Sequence, residues 1–215
     1  MRLASLALVT MLATGTYLQF AHTDAHAAVA AKPAAVAAKI GEKAPAFTGT
    51  DVNGKTISLS DYAGKIVVLE WTNPGCPFVK KHYILKNVQK LQKEYTDKGV
   101  IWLSINSSAQ GKEGHLTADE GKNFVKDAEA APTAYILDSK GEIGHLYGAK
   151  TTPHLFVIAK DGTLAYQGAI DDHNNADIGD TEGAKSYVKE AVDALLVGKK
   201  VETTTTAPYG CSVKY

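Results

Sequence analysis

The sequence predicts an α/β sandwich, a mixed central sheet with helices on both faces, preceded by an N-terminal extension. Three observations carry this. Two short β-rich runs, residues 65–71 (KIVVLEW) and 100–105 (VIWLSI), are almost wholly apolar, as strands buried on both faces are. Between them the apolar spacing becomes helical. After residue 150 the order is strand, turn, strand, helix, so the second half closes with a hairpin.

Each element has a local reason. Asp51-Val52-Asn53-Gly54 is a turn signal, and the arm after it, residues 55–60 (KTISLS), alternates polar and apolar. From Pro77 a single helix is predicted, because Phe78, Tyr83, Leu85, Val88, Leu91 and Tyr95 recur near helical spacing up to Lys98-Gly99. Thr117-Ala118-Asp119-Glu120 has the capping-box pattern and opens another helix. Residues 133–137 form a short strand. Following Thr151-Thr152-Pro153, residues 154–159 form a strand that Lys160-Asp161-Gly162 turns into an arm over 163–167. Residues 181–196 close the domain as a helix, with Ala184, Val188, Ala191 and Leu195 on its apolar face.

The chain divides accordingly. Residues 1–27 begin with a positive charge at Arg2, continue as an apolar run and end in Ala25-His26-Ala27, the layout of a secretory signal. The competing reading is an uncleaved anchor, but Ser5, Thr10, Thr14, Gly15 and Thr16 interrupt the run and make it a poor permanent span, so no stable membrane span is expected once the signal is removed. Residues 28–39 read as an Ala/Lys/Pro linker, 40–197 as the folded domain and 198–215 as a tail carrying Cys211. Export places the protein in an oxidising compartment, a bacterial periplasm.

Of the 215 residues 45% are hydrophobic, enough for one ordinary core, and 23 basic side chains balance 23 acidic ones. Such neutrality argues against a nucleic-acid partner, whose binding rests on a positive field. Two cysteines are too few for a disulfide scaffold but suffice for one bridge or one redox pair. Arginine occurs only at Arg2, so residues 28–215 contain none.

Cys76 carries the chemistry. It stands where a strand passes through Asn73-Pro74-Gly75 into a helix opened by Pro77, a residue favoured at the first helical position. Free backbone N–H groups and the positive end of the helix dipole favour thiolate there, and Lys80 and Lys81 add charge. A structural cysteine more often lies inside an apolar run.

Strand, turn, Cys-Pro at a helix start and a later Thr-Pro opening a strand resemble the thioredoxin superfamily, in the flavour of exported redoxins related to the alkyl hydroperoxide reductase/thiol-specific antioxidant family. The string WTNPGCPFVKKHY with the ending GCSVK is also similar to a peroxiredoxin-like subgroup with a C-terminal cysteine. The resemblance implies a nucleophilic Cys76, a substrate shelf of Thr152 and a cis-Pro153 joined by His154, Pro77 and Phe78, and a buried Glu70 that moves protons. It brings His154 near Cys76 and calls for no cofactor and no metal.

Three departures from the resembling families shape the function. Val79 occupies the place of the second cysteine of a CxxC pair, Asn73 stands where the peroxiredoxin pattern has threonine, with Thr72 one place off, and no arginine supplies the planar donor fork that a peroxiredoxin uses. The expectation is therefore a thiol–disulfide oxidoreductase in which Cys211 folds back to resolve Cys76, acting on a protein or small-molecule disulfide and serviced by an external reductant. One alternative is a thiol peroxidase, with peroxide as substrate and a sulfenic acid at Cys76. Another is a binding module clamped by a static bridge, which across 135 residues is worth about 5 kcal/mol. A Cys76–His154 pair, with His82 six residues further along the Cys76 helix, could activate the thiol or bind a soft metal such as Cu(I), but no CxxxC or HxxxH spacing supports a metal. The polar loop of Asp171, Asp172, His173, Asn174, Asn175, Asp177 and Asp180 reads as a solvated connection without the EF-hand spacing.

Overall fold

The structure, a computed structural model, describes residues 38–179 and 183–215. The signal segment, nearly all of the linker and the first residues of the predicted last helix lie outside the described residues. In chain order the strands and helices are β1 (Thr48–Thr50), β2 (Thr56–Ser58), β3 (Val67–Trp71), α1 (Pro77–Ile84), α2 (Asn87–Asp97), β4 (Ile101–Asn106) and α3 (Ala118–Asp127). They continue with β5 (Ala134–Leu137), α4 (Glu142–Tyr147), β6 (Thr151–Thr152), β7 (His154–Ile158), β8 (Leu164–Gly168), α5 (Tyr187–Leu196) and β9 (Cys211–Ser212).

The central sheet runs β5-β4-β3-β7-β8, parallel from β3 through β5 and antiparallel from β3 through β8. It is the mixed sheet that the sequence predicts, because one half is built from helical crossovers and the other from a hairpin. Every residue of β3 is buried, consistent with a central strand covered on both faces. On one face Val68, Trp102, Leu155, Val157 and Tyr166 pack under α1, α2 and α5, through Val79, Tyr83, Val88, Tyr95, Val188 and Val192. On the other, Leu69, Trp71, Leu103, Ile105 and Phe156 pack against Phe47, Ile57 and the Ile143 and Tyr147 side chains of α4.

The predicted single helix after Pro77 is broken. Lys86 takes a left-handed conformation, with φ 59°, between α1 and α2. Buried Gln89 repairs the break, donating to the carbonyls of Tyr83 at 2.9 Å and Ala128 at 2.7 Å. The predicted turn at 51–54 forms, with Asp51 Oδ1 accepting from the backbone N–H of Asn53 and Lys55. The final helix starts later than predicted, at Tyr187, where Ser186 Oγ caps the Lys189 N–H.

The tail does not trail away. Residues 199–215 form a strap that first follows the edge of β8, where Gln167 N–H donates to Thr204 O and Thr206 N–H to Gln167 O. It then crosses α1 and pairs β9 antiparallel with β6. It ends on α4, where the Tyr215 ring stacks on His145 at 3.9 Å and its hydroxyl donates to Ala149 O.

Candidate active site

Cys76 is the N-cap of α1 and Pro77 its first residue. The turn before it is held by Asn73, whose Oδ1 accepts from Gly75 N–H at 2.7 Å while its Nδ2 donates to Ser108 Oγ and Glu113 O. Gly114 lies hard against that side chain with φ +76°, where a Cβ would collide with the Asn73 amide. A rigid turn thus delivers the sulfur to the sheet end, where Cys76 is only 1% exposed.

Around the sulfur the structure brings together three of the sequence-predicted residues. Thr152 O accepts a hydrogen bond from Cys76 Sγ at 3.0 Å, and the Thr152–Pro153 bond is cis. Across the β6–β9 pair, Cys211 stands opposite Thr152 and Ser212 opposite Thr151. Gly210 permits this approach: its φ is +124°, and a Cβ there would strike the Thr152 carbonyl. The two cysteines are free thiols in contact, each altering the ionisation of the other.

Their environments separate them. Burial raises the Cys76 thiol, but donors to its sulfur outweigh burial and hold it below the ordinary thiol value. These donors are the Cys211 thiol, the Thr152 hydroxyl and the backbone N–H groups of Val79 and Cys211. Thr152 Oγ1 is buried with no other partner and so is free to turn its proton to a thiolate. Cys211 is pushed up to about 12, by burial first and then by the neighbouring Cys76 sulfur. One thiol is therefore prepared as nucleophile and leaving group, its neighbour as the proton holder.

Other expectations are placed differently. The ammonium of Lys81 is buried and donates to His173 O at 2.9 Å over the Tyr209 ring, so it belongs to a neighbouring cluster. His154 packs against Phe156 at 4.4 Å, in the core layer on the far side of the sheet from Cys76, and its Nδ1 accepts from Lys150 N–H. It is one residue out of phase, because alternate residues of β7 face opposite sides. Its ring is pushed down to about 4, by burial first and then by Lys150.

Glu70 lies on the Cys76 side of the sheet, yet no hydrogen bond joins it to the sulfur. Its carboxylate accepts from Trp102 Nε1 at 2.7 Å, Ser104 Oγ at 2.8 Å, Tyr83 OH at 3.0 Å and Gln92 Nε2 at 3.2 Å. Burial raises its pKa against the pull of these donors. Phe78 packs beside Tyr209, with ring centroids 5.9 Å apart.

Sequence reasoning missed Tyr209. The one local signal in Tyr209-Gly210-Cys211 is Gly210, a residue able to take a positive φ and a close backbone approach. His82 Nε2 donates to the phenolic oxygen of Tyr209 at 3.1 Å, and the Tyr209 hydroxyl donates to Asp171 Oδ1. Asp171 is thereby tied to the fold, and Asp172 Oδ1 accepts from Lys185 N–H. Among the described residues, no group of three or more His, Cys, Asp or Glu side chains is arranged to hold a metal ion.

A mixed sheet with an activated cysteine at a helix start, facing a threonine and a cis-proline, defines a redoxin of the thioredoxin superfamily. The AhpC/TSA family model matches residues 40–167, and the chain belongs to that family. Thiol-disulfide oxidoreductase ResA of Bacillus thuringiensis subsp. konkukian (strain 97-27) is 35% identical over 127 residues, 59% of this chain and 67% of that protein. An uncharacterised conserved protein from Geobacillus kaustophilus has a crystal structure matching with TM-score 0.72 and 28% identity, covering 82% of this chain and 92% of its own. A hypothetical protein from Sinorhizobium meliloti 1021 matches with TM-score 0.73 and 25% identity, covering 84% and 96%.

Proposed function

We propose that the chain is a thiol–disulfide oxidoreductase in which Cys76 is the nucleophile and Cys211 resolves it. The observation that carries this reading is the seating of Cys211 opposite Thr152, in contact with a Cys76 thiol held below its ordinary pKa. The ResA relative supports the reaction class. Export belongs to the same reading, on the signal-like residues 1–27, since an oxidising compartment keeps such a pair in use.

In the first step Cys76 thiolate attacks one sulfur of a substrate disulfide, forms a mixed disulfide and expels the other sulfur as thiolate. Cys76 is buried under the strap, so the β6–β9 pair parts to admit the substrate. When the strap returns, the departing thiolate takes the Cys211 proton. The Cys211 sulfur then attacks Cys76, forming the Cys76–Cys211 disulfide and releasing the second substrate sulfur as thiolate, which takes from solvent the proton that Cys76 gave up on ionising. Two electrons have moved from the cysteine pair to the substrate. An external thiol reductant returns them.

Reduction of a hydroperoxide is the second reading, favoured by the AhpC/TSA match. Against it, Asn73 stands where the related peroxidases carry threonine, and its amide is consumed by Gly75, Ser108 and Glu113. One experiment separates the two. Reduced protein is mixed with a disulfide peptide or with hydrogen peroxide, alkylated and mapped by non-reducing mass spectrometry. The proposed reading expects the Cys76–Cys211 bridge to form faster with the disulfide, and Cys76→Ser to abolish it. Two thiols that stay free with the disulfide peptide overturn it.

A further inference from the structure

The exchange reading uses two sulfurs and the shelf beneath them, but it leaves a buried polar cluster one residue upstream of Gly210 unexplained. There Tyr209, 6% exposed, is held on two sides. Its hydroxyl donates to Asp171 Oδ1, and its oxygen accepts from His82 Nε2 at 3.1 Å, which fixes the His82 proton on Nε2. Phe78 flanks the ring, and the Lys81 ammonium lies 5.7 Å from its centroid.

A phenylalanine would fill this place in the core without burying a hydroxyl, a carboxylate and an imidazole together, which is costly, the more so because the buried His82 Nδ1 has no hydrogen-bond partner. What the polar cluster adds is direction. A phenol bonded on both sides has one position along the strap, whereas an apolar ring can slide. Only Gly210 separates that fixed point from Cys211. The other side of the cysteine is fixed too, because Val213 N–H donates to Lys150 O at 3.0 Å and Ala109 N–H to Lys214 O at 2.7 Å.

We propose that Tyr209, clasped by His82 and Asp171, is a positioning residue that sets the effective concentration of the Cys211 thiol at Cys76. The inference rests on the exchange reading above. The clasp spans three parts of the fold: His82 on α1, Asp171 after β8, and the strap itself. It therefore ties the resolving cysteine to the same helix that the nucleophile caps. Closing the bridge takes two electrons and two protons from the thiols, and glutathione disulfide receives them in the test.

The full chain is equilibrated across mixtures of reduced and oxidised glutathione, and the fraction bridged is read by alkylation and mass spectrometry. The expected result is a wild-type Cys76–Cys211 bridge whose effective concentration falls about tenfold in Tyr209→Phe, a midpoint about 30 mV higher. His82→Gln keeps a donor toward Tyr209 and is expected to retain the wild-type midpoint, whereas His82→Leu loses it. Tyr95→Phe removes a hydroxyl bonded to Asp193 away from the strap and serves as the control for general loosening. A Tyr209→Phe midpoint equal to wild type overturns the positioning role and leaves the exchange reading standing. Equal shifts in Tyr209→Phe and Tyr95→Phe overturn it likewise. A wild-type protein that forms no intramolecular bridge overturns the exchange reading and this inference together. Should Tyr209→Phe fail to fold, the His82→Leu and His82→Gln comparison decides, and identical midpoints in those two variants overturn the proposal.

Discussion

Cys211 sits across the β6–β9 pair from Thr152, and the carbonyl of that same Thr152 accepts the Cys76 S–H at 3.0 Å. One residue therefore gauges both sulfurs. The shelf beside the cis-proline is occupied by the protein's own tail, which presents a thiol where an extended disulfide substrate would lie in the proposed exchange.

The ionisation of Cys76 depends on this arrangement. The Cys211 thiol and backbone N–H both favour the Cys76 thiolate. Cys211→Ala removes the side-chain donor and raises the Cys76 pKa, whereas Cys211→Ser keeps a hydroxyl donor and holds most of the depression. Ultraviolet thiolate absorbance against pH, recorded on each variant, checks this. Identical titrations for alanine and serine would show that the side chain at 211 contributes nothing.

Gly210→Ala puts a Cβ against the Thr152 carbonyl at a backbone angle that side-chain-bearing residues rarely adopt. The strain, of order 1–3 kcal/mol, is relieved by lifting the strap. Iodoacetamide then labels Cys76 roughly tenfold faster or more, at about 1.4 kcal/mol per decade of opening. Wild-type labelling kinetics in the variant would mean that the strap does not control access.

The features legible in the sequence are the ones encoded locally. A strand ending in Trp71, the Asn73-Pro74-Gly75 turn and Pro77 place Cys76 at a helix start, all from neighbouring residues, whereas the cis-Pro153 after Thr152 is implied only by the family resemblance. What escaped depends on distant partners. The helix break at Lys86 is stabilised by Gln89 reaching back to Tyr83 and across to Ala128. The resemblance puts His154 near Cys76 because it follows Pro153, but the sequence does not show which way a residue points in a strand buried on both sides. The docked strap rests on contacts far apart in sequence, among them the Thr152–Cys211 pairing, the clasp joining residues 82, 171 and 209, and the backbone bonds to Gln167 and Lys150, none of which shares a local pattern. α4 was hidden by Gly144, a poor helix former whose missing side chain leaves room for the Tyr215 ring.

Glu70 separates packing from chemistry. Glu70→Leu strands the indole N–H of Trp102 together with Ser104, Tyr83 and Gln92, and is expected to cost about 2–4 kcal/mol in urea unfolding. Glu70→Gln keeps an acceptor for Trp102, and the Tyr83 hydroxyl can turn to accept from the new amide, so most of the stability remains. If Glu70 relays protons, Glu70→Gln slows bridge formation while folding normally. An unchanged rate restricts the residue to holding α1, α2 and β4 together.

The pH dependence of stability pits three buried groups against one another. His82 and His154 are each pushed down from 6.5 to about 4, mainly by burial. Between those values the unfolded chain binds their protons and the folded chain does not, so their contribution is complete above pH 6.5 and is lost as pH falls toward 4. Each accounts for up to about 3 kcal/mol. Glu70 acts oppositely. Its pKa is raised from 4.5 by burial, so its contribution is full below 4.5 and is lost as pH rises through the folded value. Wild-type stability is thus expected to climb between pH 4 and 6.5, because two histidines outweigh one carboxyl. In Glu70→Gln the opposing group is gone and the climb steepens. Urea unfolding at a series of pH values measures both slopes, and a variant no steeper than wild type would mean that Glu70 ionises in the folded protein as readily as in the unfolded chain.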